Sequence, residues 1–211
     1  MTLRLNGSTS GYTEIDAPAV AASNTLVLPT GNGSADQALV TNGSGTLSFA
    51  DRGRMVLETA QSSTSGTSID FTSIPSWVKR VTVMFSGVSI SGTSSILIQL
   101  GTTSGFETTG YQSNSQTVSD APQVTNIAST AGIIVRAGSA TVVFVGSLSI
   151  NKLSGNTFVS NGLFHRTDAT TLLVHSAGGK ALSGTLDRVR ITTVNGTDTF
   201  DAGSINILYE G

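Results

Sequence analysis

The sequence predicts an all-β protein: a short amino-terminal β-stalk, residues 1–52, followed by a jelly-roll-like β-sandwich head, residues 53–211. Three observations carry this. Charged residues are 11% and aromatics 6% of the 211 residues, and the remainder leans on Ser, Thr, Val and Gly, a bias that suits strands and turns. Period-two alternation of apolar and polar residues recurs after residue 53. Before it, the chain reads as short apolar steps separated by glycine turns.

In the first part, Tyr12–Pro18, Asn24–Pro29 and Gln37–Gly43 are each too short and too polar to enclose a core. Leu26, Leu28, Leu39, Val40, Leu47 and Phe49 therefore need neighbours, most simply copies of themselves. The charge cluster Asp51-Arg52-Gly53-Arg54 marks the boundary. Beyond it, Val81, Val83 and Phe85 alternate against Thr82, Met84 and Ser86, a half-buried strand. From Ala140 to Ile150, Val142, Phe144, Leu148 and Ile150 share a face, while Val143 and Val145 make the first half apolar on both sides, as in a central strand. Val189 and Ile191, then Ile205, Ile207 and Tyr209, mark two closing strands joined by Asn195-Gly196-Thr197-Asp198. Further turns are expected at Gly155-Asn156, Asn161-Gly162 and Gly178-Gly179, giving about eight to ten strands. Ser73–Val78 is the one candidate for a helical turn, with Pro75 at its start and Trp77 plugging an end of the core.

The polar stretch Gly101–Ser119 reads as exposed loops. Its Phe106, Glu107, Tyr111, Gln112 and Asn114 are the candidate receptor-facing residues, because neutral donors and acceptors with an aromatic suit sugar hydroxyls and their apolar faces.

Other chemistry finds little support. A net charge of −2 with eleven scattered Lys and Arg gives no polyanion signal, so nucleic acid is not an expected partner. Zero cysteine removes disulfides and thiolate metal sites. No apolar run approaches the roughly 18 residues of a membrane span, and the amino terminus shows no basic region followed by an apolar run, so membrane insertion is not expected and synthesis in a cytoplasm is. His165 and His175 flank Asp168 without a metal-ligand spacing, leaving only a site shared between chains on a symmetry axis as a metal reading. Asp187 with Asp198, or Glu107 with Asp120, could form an acid/base pair, but no spacing fixes a cleft. Gly31-Asn32-Gly33-Ser34 lacks the lysine and helix of a phosphate loop, and no nucleophile elbow occurs. The expectation is a non-enzyme with no catalytic, cofactor-binding or metal residues.

The stretches 6–20, 24–29 and 43–49 resemble a repeat-like module of tail fibres and other virion appendage proteins of tailed phages, especially those of marine cyanobacteria. Phe71–Val83, Leu182–Thr192 and Phe200–Ile207 resemble the carboxyl-terminal head of such fibres. The resemblance implies a homotrimer whose amino-terminal segments associate about one axis and bury Leu26, Leu28, Leu39, Val40, Leu47 and Phe49 against symmetry mates. It implies a virion location, docking through 1–52 to another virion protein of tail or capsid, and a head facing a host-cell receptor, with polysaccharide as the candidate ligand. A capsid decoration, head-fibre or cement protein is the alternative, and a polysaccharide depolymerase a more distant one.

Overall fold

Alternation along the later strands sorts the chain into two layers of antiparallel sheet over one core. The computed structural model describes residues 3–16, 18–20, 23–35, 37–51, 53–118, 125–167 and 171–211. All regular structure among them is β, and the chain divides into compact units of residues 1–52 and 53–211.

The first unit holds β1 (Leu3–Asn6), β2 (Tyr12–Ile15), β3 (Gln37–Thr41) and β4 (Leu47–Asp51), paired as two separate hairpins. A bridge from Val27 to Thr46 ties the segment before β3 to the second hairpin. None of these elements encloses a core. Leu26, Leu28 and Leu39 are 66%, 71% and 52% exposed, while Val40, Leu47 and Phe49 are half-buried.

The second unit runs β5 (Met55–Leu57), β6 (Gln61–Ser62), β7 (Ser68–Phe71), β8 (Arg80–Ile90), β9 (Ile96–Thr102), β10 (Gly105–Phe106), β11 (Tyr111–Val118), β12 (Thr125–Ser129), β13 (Ile133–Val135), β14 (Val143–Ser154), β15 (Thr157–Thr167), β16 (Thr171–Ala181), β17 (Arg188–Thr193) and β18 (Phe200–Glu210). The large sheet has the order β12-β11-β16-β15-β14-β8-β18-β5, with β6 also on β18; the small sheet is β10-β9-β17-β7, with β13 on β9. The long strands pair in a nested way: β14 with β15, β11 with β16, β9 with β17, and β8 with β18.

The alternation of β8 and β14 is realised as expected. Val81, Val83, Phe85, Val142, Phe144, Leu148 and Ile150 are all buried, and β14 is a central strand between β8 and β15. Phe164 joins Phe85 at 5.1 Å and Phe144 edge-on at 6.3 Å between ring centroids. Ile69, Phe71, Ile98, Leu100, Val189 and Ile191 close the core from the small sheet. Every member of this core lies in the second unit.

Three local expectations are corrected. Asn161-Gly162 and Gly178-Gly179 sit within β15 and β16, not in turns. The glycines serve close approach: a Cβ at Gly162 would lie 2.7 Å from the Leu148 Cβ, and one at Gly178 would lie 2.8 Å from the Gln112 carbonyl oxygen. Ser73–Val78 forms a turn closed by the Val78 amide donating to the Pro75 carbonyl at 3.1 Å, with no helix. Trp77 packs half-buried on the core beside Tyr209. The Asn195–Asp198 turn joins β17 to β18 as expected, with Asn195 Oδ1 accepting from the Thr197 and Asp198 amides, and it carries the chain from the small sheet to the large one.

Candidate functional site

The expected loop over 101–119 is in fact the end of β9, the β10 edge and the whole of β11 as far as Val118; Ser119 and Asp120 lie outside the described residues. The sequence of β11, Tyr-Gln-Ser-Asn-Ser-Gln-Thr-Val, alternates strictly. Tyr111, Ser113, Ser115 and Thr117 face inward, and Gln112, Asn114, Gln116 and Val118 face outward. The inward hydroxyls satisfy the backbone of β13 across the sandwich. Ser113 Oγ accepts from the Ile134 amide at 2.8 Å, and Ser115 Oγ accepts from the Arg136 amide at 3.0 Å. Ser176 donates to the Ile134 carbonyl at 2.5 Å.

This splits the five expected receptor-facing residues. Tyr111 is 1% exposed; its hydroxyl accepts from the Leu100 amide at 2.6 Å, and burial holds the phenol well above its ordinary pKa. It is a core residue, because a tyrosine on the inward side of a strand can bury its ring only if the hydroxyl finds backbone partners. Phe106 is half-buried in β10 beneath the Arg190 guanidinium, 4.1 Å from the ring centroid. Glu107 pairs with Lys180 at 2.6 Å and accepts from the Ser183 amide and hydroxyl. Burial works to raise its pKa, but these hydrogen bonds outweigh it and hold the carboxyl below its usual range. Only Gln112 and Asn114 are exposed on the outer face of the large sheet.

That face carries a polar surface feature built across four strands. A shallow groove of about 510 Å³ is lined by Asn114, Gln116, Ser147, Asn161, Leu163 and His175, with Ala177 and Ser149 beside them. Register aligns these into two rows crossing four strands, Gln116–His175–Leu163–Ser147 and Asn114–Ala177–Asn161–Ser149. Neither row contains Lys, Arg, Asp or Glu. The small Ala177 keeps the floor low between flanking amides. Asn114 lies on β11, not in the expected loop, and only strand register brings Gln116, Asn161 and His175 beside it.

The carboxylates considered as an acid/base pair serve structural bonds. Asp187 pairs with Arg188 at 2.8 Å. Asp198 accepts from the Asn195 amide group at 2.7 Å and the Ser94 backbone amide at 3.0 Å, and these bonds lower its pKa. His165 and His175 both face outward from the large sheet, while Asp168 lies outside the described residues. Among the described residues no group of three or more His, Asp or Glu is placed to hold a metal ion, and no helix is long and apolar enough to cross a membrane. No protein-family model, curated protein or solved structure matches the chain.

Proposed function

We propose that this chain is a non-enzymatic fibre protein of a phage particle, a homotrimer docked to another virion protein through residues 1–52 and presenting the 53–211 head to a host-cell surface. One observation carries the reading: the two units differ in how they treat apolar surface. The head buries a complete core. The amino-terminal unit leaves Leu26 and Leu28, in the segment before β3, and Leu39, in β3, more than half exposed, and isolated two-stranded hairpins are marginal in water. Copies of the same segment arranged about an axis would bury those side chains, each worth roughly 1.5–3 kcal/mol when fully covered.

The nested pairing, with most pairs gathered in one sheet, supports a jelly-roll reading of the head. Such a sandwich offers a broad rigid face for contact. The resemblance of 6–20, 24–29 and 43–49 to phage appendage modules supplies the particle.

Light scattering on the full chain and on a chain starting at Gly53 tests the reading. The head has its own core and is expected to fold alone. The expected result is three times the 21.5 kDa of one chain for the full protein and a monomer for the truncated one. A monomeric full chain overturns the trimer. Binding of the full chain to shells assembled from capsid protein alone would replace a tail fibre with a capsid decoration protein.

A further inference from the structure

Gln61, Gln99 and Asn206, elsewhere in the head, commit their side-chain amides internally. Gln61 donates to the Asp70 carbonyl at 2.9 Å, Gln99 to the Ala131 carbonyl at 2.9 Å, and Asn206 to the Glu58 carbonyl at 2.7 Å. The groove on the large sheet is different. The side chains of Asn114, Gln116, Ser147, Ser149, Asn161 and His175 make no hydrogen bond or ion pair among the described residues. Uncommitted donors and acceptors are therefore gathered in two ordered rows, around the large exposed apolar side chain of Leu163.

We propose that this groove binds a neutral oligosaccharide lying across the strands. Each amide and hydroxyl offers both a donor and an acceptor, as each sugar hydroxyl does. Neighbouring strands lie about 4.8 Å apart, close to the length of one pyranose unit, so a glycan running along the rows meets a fresh side chain at each sugar. The two rows stand about 7 Å apart, two residues along each strand, which leaves room for a ring between them. Leu163 supplies an apolar patch for the C–H face of a ring. Among the described residues no Lys or Arg lines the groove, and these are the usual partners of uronic or sialic carboxylates and phosphates, which sets the preference for neutral sugars. This gives the ligand class and the surface for the host attachment proposed above, and rests on that reading for its biological role.

The test uses the full chain with a panel of neutral tetrasaccharides built from glucose, galactose, mannose and N-acetylglucosamine, alongside uronic-acid-containing counterparts, followed by ligand-observed NMR up to about 10 mM sugar. At least one neutral member is expected to bind, with little dependence on salt, and the combined N114A and N161A substitutions are expected to weaken it tenfold or more. Thr197→Ala, in the Asn195–Asp198 turn, should leave binding unchanged. Equal thermal midpoints establish that the variants are folded. No binding of any neutral sugar, or binding that the double variant leaves intact, overturns the groove. So does preference for the acidic sugars. Light scattering on the same samples separates the two readings: a trimer without sugar binding overturns the groove and leaves the fibre, whereas a monomer that binds sugar overturns the fibre and leaves the groove. A double variant that loses trimer mass along with sugar binding reassigns this face to contact between copies and overturns the glycan assignment.

Discussion

Glu107 shows how a residue that reads as a surface ligand becomes a structural tie. Its carboxylate is 21% exposed and its partner Lys180 only 8%, so the pair sits between a weak surface bridge and a buried one. Lys180 also lies 5.4 Å from the Tyr111 ring centroid. Removing the carboxylate strands a mostly buried ammonium and the Ser183 amide. Glu107→Ala is therefore expected to destabilise the head by about 1–3 kcal/mol, read as a lower denaturation midpoint at unchanged m-value. The pH dependence has a definite sign. Because the folded pKa lies below the ordinary 4.5, the pair's stabilisation is fully present above that value and is lost as pH falls through the folded pKa. Glu210, held by Arg80, and Asp198 shift in the same direction. The difference between wild type and Glu107→Gln across the acid limb isolates the contribution of Glu107: the variant should lose less stability on acidification. An equal acid slope in both proteins would refute the tie.

At the scale of the element, β11 is the instructive strand. Its inward face consists of hydroxyls, so a reading based on apolar alternation passes over it, although the alternation itself is present. The hydroxyls are needed because β13 pairs with β9 by one edge and lies against β11 and β16 by the other. Ser115 both donates to the His175 carbonyl and accepts from the Arg136 amide. Ser115→Val should cost about 1–3 kcal/mol, the desolvation cost of an orphaned buried amide plus any overpacking, and hydrogen exchange at the Arg136 amide should accelerate. A change of less than a few tenths of a kcal/mol would mean that the seam is dispensable. Strands with apolar inward faces, such as β8, β14 and β18, are legible because water exclusion alone fixes which side they bury. Gly162 and Gly178 mislead for a different reason: glycine marks either a turn or a close contact, and only the neighbours at Leu148 and Gln112 decide which. The groove was illegible for the same cause. Asn114, Asn161 and His175 are distant in sequence and meet through register, which the composition of a single strand does not encode.

At the scale of the whole molecule, stability is unevenly distributed. The head holds the entire apolar core, whereas the two hairpins of residues 1–52 rely on local turns such as the Asn42 side chain accepting from the Ser44 amide at 2.8 Å. If association orders the amino-terminal unit, its protection depends on concentration and that of the head does not, because mass action stabilises only what is bound. Hydrogen exchange of the full chain at high concentration should show protected amides at Leu39, Val40 and Phe49. Dilution should remove that protection while Val81, Leu148 and Ile207 remain slow. Limited proteolysis under the same dilution should cut within 1–52 first and leave the head intact. Replacing Leu26, Leu28 and Leu39 together by serine should produce the dilute pattern at every concentration without lowering the head's melting temperature. Protection of 1–52 that is independent of concentration and survives the triple substitution would show a self-sufficient hairpin unit, and would remove the physical reason for assembly through this end.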